Sequence, residues 1–141
     1  MISHQFAAQF AEEWVAVWNS RQLDRILSHY ADDFEMASPH IAEVAGESSG
    51  VLKGKAAVAA YWAKALARFP SLHFELHSIL VGAESLVIYY KGVNGMVAEF
   101  FCFDSSGKVS KSSAHYAMNE KGINLTAQNV SMRNICEVAT D

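Results

Sequence analysis

The sequence predicts an α+β fold in which three N-terminal helices pack on a strongly bent, cone-shaped antiparallel sheet. Three observations predict it. Helical periodicity is confined to the first half of the chain, strand-like runs fill the second half, and an Asn-Gly pair joins two apolar runs as a tight hairpin would. A chain of 141 residues, 51% hydrophobic and 11% aromatic, can bury one core without disulfides or metals. A single domain over 1–141 is expected, with 119–141 as a C-terminal tail or an extra strand.

Between His4 and Asn19, Phe6, Phe10, Trp14 and Trp18 recur every four residues, forming the apolar stripe of an amphipathic helix that Ser3 can cap. A second, shorter helix follows, with Leu23, Ile26, Leu27 and Tyr30 at helical spacing. Phe34, Met36 and Ser38 then alternate as one face of a short strand ending at Pro39. A loop rich in Gly, Ser and Glu leads to Gly54. Val58, Trp62, Leu66 and Phe69 mark a third helix, stopped by Pro70. Strands are expected over Leu72 to Val81, Leu86 to Val93, Met96 to Phe103 and Lys108 to Met118, and a weaker one over Ile123 to Val130.

Composition excludes several function classes. A net charge of −4 with eleven unclustered Lys and Arg residues gives no electrostatic footprint for nucleic acid. No apolar run is long enough to span a bilayer and the first residues do not read as a signal peptide, so no membrane partner and a cytoplasmic location are expected. The two cysteines form no paired motif and read as reduced thiols. Gly46-Glu47-Ser48-Ser49-Gly50 fits a nucleophile-elbow pattern but lacks the strand before and the helix after that such an elbow needs.

The segment Trp14 to Asp33 (WVAVWNSRQLDRILSHYADD), the strand end at Ser38-Pro39, Gly54 before a helix containing Tyr61-Trp62, and Phe103-Asp104 with Gly107-Lys108-Val109 together carry a resemblance. Over about residues 6 to 118 the chain resembles the nuclear transport factor 2-like superfamily, of cystatin-like fold, which includes ketosteroid isomerase, scytalone dehydratase and the SnoaL-like polyketide cyclases. The resemblance implies an apolar pocket inside the cone, a homodimer built through the outer face of the sheet, and no cofactor. It does not choose a reaction, because function resides in the site rather than in the fold. In ketosteroid isomerase an Asp precedes the proline that ends the first strand and acts as the base; here that position is Ser38. The family's phenolic donor on the first helix falls on Trp14, its supporting tyrosine on the third helix falls on Trp62, and the acidic donor position is kept as Glu99.

Glu99 sits in the run MVAEFFCF on the same strand face as Val97, Phe101 and Phe103. It faces either the outer, dimer-forming side or the pocket, where burial would raise its pKa and suit it to acid or donor work. Tyr116 and His40 are the candidate catalytic partners, the first as a hydrogen-bond donor and the second as a base, since histidine titrates near neutrality. Ligand contacts are expected from Trp14, Trp18, Tyr30, Phe34, Met36, Ser38, Trp62 and Phe101. His73 and His77 share a strand face without the further ligands a metal would need, so no metal site is expected and the pair reads as solvent-facing or interfacial. Two functions stay open. One is a cofactor-independent isomerase, dehydratase, cyclase or hydrolase acting on a small apolar substrate; the other is a non-catalytic module that binds a small ligand or a protein.

Overall fold

The computed structural model describes residues 1–118. Helix α1 (His4–Ser20) begins where the Ser3 hydroxyl accepts a hydrogen bond from the Phe6 amide at 3.0 Å, and it buries Phe10, Trp14 and Trp18 along one stripe. It ends at Arg21, a non-glycine residue in the left-handed region (φ 61°) whose amide bonds the Trp18 carbonyl. The Arg21 guanidinium reaches the Leu66 and Phe69 carbonyls at the C-terminus of helix α4 (Lys55–Arg68), tying the two long helices together.

Among the described residues four helices form, not the three expected. Helix α2 (Leu23–Leu27) is only five residues long, and the Ser28 hydroxyl donates to the Arg25 carbonyl at its end. Tyr30 is therefore not on that helix. It opens strand β1 (Tyr30–Ala37), where it pairs with Val109 and is fully buried. The segment expected to be loop contains helix α3 (Pro39–Ala45) and strand β2 (Val51–Lys53). Ser38 starts α3 by accepting from the His40 amide at 3.2 Å, and Pro39 occupies the first turn, where its missing N–H costs nothing.

The remaining strands are β3 (Glu75–Val81), β4 (Ser85–Gly92), β5 (Gly95–Phe103) and β6 (Val109–Tyr116), joined in one curved six-stranded sheet of order β2-β1-β6-β5-β4-β3. The sheet is not wholly antiparallel, since β1 and β6 run parallel side by side. Strand β3 starts three residues later than the sequence suggests. Asn19 on α1 accepts from the Phe74 amide at 2.7 Å and donates to the Phe74 carbonyl at 3.0 Å, which occupies both of its backbone groups. A register shift between Leu76 and Ser78 also breaks the regular alternation of β3 at His77. Beyond that bulge Ile79 and Val81 pack toward the core, while Leu80 points outward. The expected strand over Ile123 to Val130 lies outside the described residues.

Candidate active site

Between the inner sheet face and helices α1, α3 and α4 lies a cavity of about 640 Å³, a size suited to a small organic molecule. Its deep wall is aromatic. Trp14 and Trp18 reach it from α1 and Trp62 from α4, with Trp18 and Trp62 meeting edge to face at 5.0 Å. Met36 of β1 lines the cavity as well.

Of its two expected orientations, Glu99 takes the inward one. It lines the cavity and is only 4% exposed, with Val97 and Phe101 buried on the same strand face. The Tyr90 hydroxyl donates to Glu99 Oε1 at 3.2 Å. Burial pushes the Glu99 carboxyl up to about 8, against the partly opposing effect of that hydrogen bond. The acid therefore keeps its proton at neutral pH. Burial also holds the Tyr90 phenol well above its ordinary range, reinforced by the charge that Glu99 would carry. Tyr61 and Tyr116 are raised by burial as well, partly offset by the Ser38 hydroxyl. The cavity thus has one neutral carboxyl group among phenols that stay protonated and can act only as neutral donors or acceptors.

Tyr116 and His40 stand together at the mouth. Their rings meet at 4.3 Å, and the Tyr116 and Ser38 hydroxyls are 3.3 Å apart. His40 Nδ1 lies 3.5 Å from the Glu43 carboxylate one helical turn on, which leaves Nε2 as the other ring nitrogen. All three candidate catalytic residues, Glu99, Tyr116 and His40, line this one cavity.

Four of the eight expected ligand contacts do not line it. Tyr30 lies behind Trp14 and accepts from the indole Nε1–H at 2.9 Å. Phe34 packs between Tyr30 and Trp62, at 4.5 and 5.8 Å. Phe101 sits behind Trp14, edge-on at 5.5 Å, and against Phe10 at 5.2 Å. Ser38 is buried with its hydroxyl engaged by Tyr116 and the α3 cap. For Phe34 and Phe101 strand alternation gives the inward direction, but other aromatic rings fill the space in front.

Tyr90, Phe74, Tyr61 and Arg68 also line the cavity, and none is among the expected site residues. Tyr90 carries a usable signal, because Leu86, Ile88 and Tyr90 alternate along β4 and all three are buried. Phe74 carries none, since it precedes its strand and is placed by Asn19. His73 and His77 are both exposed, and among the described residues no three His, Cys, Asp or Glu side chains stand close enough to share a metal. No helix of the described residues is long and apolar enough to cross a membrane.

A protein-family model described as the SnoaL-like domain matches residues 11–110. The chain belongs to the SnoaL-like family. A SnoaL-like protein of unknown function from Burkholderia thailandensis is similar at 50% identity and a TM-score of 0.80, over 83% of this chain and 98% of that one. A protein of cystatin-like fold from Methylobium petroleophilum, also of unknown function, is 18% identical with a TM-score of 0.65, over 86% of this chain and 83% of that one. The epoxide hydrolase/cyclase-like enzyme SalBIII, described for its role in pyran ring formation in the polyether salinomycin, is 16% identical with a TM-score of 0.65, over 84% and 95% of the two chains. No curated protein matches the sequence. The SnoaL-like fold is thus established, with the curved sheet and N-terminal helices that the resemblance implies.

Proposed function

We propose that this SnoaL-like chain is a cofactor-independent enzyme that moves protons on a small, largely apolar molecule bearing a carbonyl or hydroxyl oxygen. The observation that supports it is a carboxyl group kept neutral to about pH 8 in the wall of a cavity. A carboxyl so placed donates a hydrogen bond or a proton to an oxygen on which negative charge develops. In an isomerisation, His40 takes a proton from carbon next to a carbonyl, the C–H electron pair shifts toward oxygen, and Glu99 supplies the proton there. The protonated His40 then returns a proton to a second carbon as Glu99 recovers its own. Glu43 orients the His40 ring, and the Tyr116 hydroxyl is a second donor beside it. Dehydration, cyclisation and epoxide opening need the same donor at the departing or developing oxygen.

Deuterium exchange in D2O, followed by proton NMR over a panel of cyclic and aryl ketones, tests this even with the natural substrate unidentified. The native protein is expected to accelerate exchange next to the carbonyl, and Glu99→Gln to slow it by about a hundredfold or more while ligand affinity stays within about tenfold. Unchanged exchange in the variant would exclude Glu99 from the chemistry. One observation favours the alternative of a binding module. The Ser38 hydroxyl, where the resemblance places a base, is already engaged by the His40 amide and Tyr116. Ketones that bind but never exchange would establish that second reading.

A homodimer through the outer sheet face belongs to the same proposal. Leu80, Val87 and Phe100 stand directly opposite one another on β3, β4 and β5, and Leu80 is 56% exposed. Such a row across three strands favours a second apolar surface over water. Sedimentation equilibrium is expected to give a dimer that Phe100→Glu converts to monomer; a native monomer at micromolar concentration rejects it.

A further inference from the structure

We infer that the ligand carries a carboxylate, and that Arg68 at the cavity mouth is the residue that selects it; this rests on the cavity being a small-molecule site. Arg68 lies in the last turn of α4, and both it and the following Phe69 line the cavity. A basic residue there ordinarily serves the helix C-terminus, bonding the last carbonyls or complementing the dipole. In this protein Arg21 does that work, since its guanidinium bonds the Leu66 and Phe69 carbonyls. The Arg68 guanidinium instead lies 5.8 Å from the centre of the Phe69 ring, a cation–π contact that keeps this exposed planar donor beside the cavity rim.

No carboxylate of the described residues is within ion-pair distance of Arg68. Of the two acids that line the cavity, Glu43 faces His40 and Glu99 is held neutral by burial. Neither neutralises Arg68, and Glu99 adds no negative charge inside to repel an anion. Phe69, Leu72, Phe74, Trp14 and Trp18 line the same cavity. A matching ligand therefore has an apolar body, an oxygen acceptor at the Glu99 end, and an anionic end that accepts two parallel hydrogen bonds from Arg68.

The test uses 1-naphthylacetate and its methyl ester, which share the apolar body and differ in charge, titrated against the full chain by tryptophan fluorescence at low salt. The native protein is expected to bind the carboxylate about fivefold more tightly than the ester, as befits an ion pair at a solvent-exposed rim. Arg68→Gln should abolish that preference and leave ester affinity within twofold, while Arg68→Lys should keep part of it. The preference should also shrink as salt is raised to 1 M. Equal affinity for the two compounds in the native protein, or a preference that survives in Arg68→Gln, overturns the role of Arg68 and leaves the pocket standing. Failure of both compounds to bind rejects the pocket reading itself, and this inference with it.

Discussion

Glu99→Gln is expected to make the protein more stable above pH 8 and to leave its stability unchanged at pH 4. The folded-state pKa of Glu99, about 8, lies above the ordinary 4.5. Between those two values the unfolded chain gives up the proton and the folded chain keeps it. The unfolded state then binds fewer protons, so native stability falls as pH rises through this window. At about 1.4 kcal/mol per pH unit, the loss is complete near pH 8 and amounts to on the order of 5 kcal/mol. Glutamine has nearly the same shape, keeps an oxygen to accept from the Tyr90 hydroxyl, and never ionises. Urea unfolding of both proteins from pH 4 to 9 should therefore give curves that coincide at the acid end and separate steadily toward the alkaline end. Parallel curves would mean that Glu99 is not held neutral in the fold.

Trp14→Ala should produce the largest loss of stability of any single truncation in the site. Trp14 is fully buried and touches Trp18, Phe74, Tyr90 and Phe101, with ring centres between 5.0 and 6.1 Å away. Removing it opens a void and deprives the buried Tyr30 hydroxyl of the indole donor at 2.9 Å. Truncation of a buried large aromatic costs about 3–5 kcal/mol, and leaving a polar partner unpaired adds to this. Trp14→Phe should lose less, because most of the ring contacts persist and chiefly the N–H is removed. Denaturation midpoints in that order support the packing described; a Trp14→Ala loss below about 1 kcal/mol would show that Trp14 is not anchored in this way.

Much of this arrangement is legible in residue order alone, for reasons that particular elements make plain. The α1 stripe, the α4 stripe and the β4–β5 hairpin are local patterns, set by periods of 3.6 and 2 and by turn chemistry, although the turn residues are Val93 and Asn94 rather than Asn94 and Gly95, which already pairs with Gly92 as the first residue of β5. The inward direction of Glu99 is half legible: alternation puts it with Val97, Phe101 and Phe103, and only the folded sheet decides which face that is. Expectation and structure part where a tertiary contact overrides a local pattern. Tyr30 fits a helical spacing but is drawn into β1 by pairing with Val109, far along the chain. Phe74 reads as strand, yet Asn19 occupies its backbone groups. Helix α3 is hidden because its cap, Ser38, also fits the end of a strand. Sequence alternation cannot tell a first layer of side chains from a second, so Phe34 and Phe101 read as ligand contacts although they stand behind other rings.

The parallel pairing of β1 with β6 has a consequence for how the molecule is made. The strand that begins at Tyr30 has β2 on one flank, supplied within about twenty residues, but its other flank waits for Val109–Tyr116. Without β6 the strands of the described residues fall into two separate hydrogen-bonded pieces, β1 with β2 and the β3–β5 meander. Sequence-distant pairings of this kind carry a large loop-closure cost and slow the final step of folding. The same strand that ends at the cavity mouth is thus the one whose arrival first encloses a cavity at all.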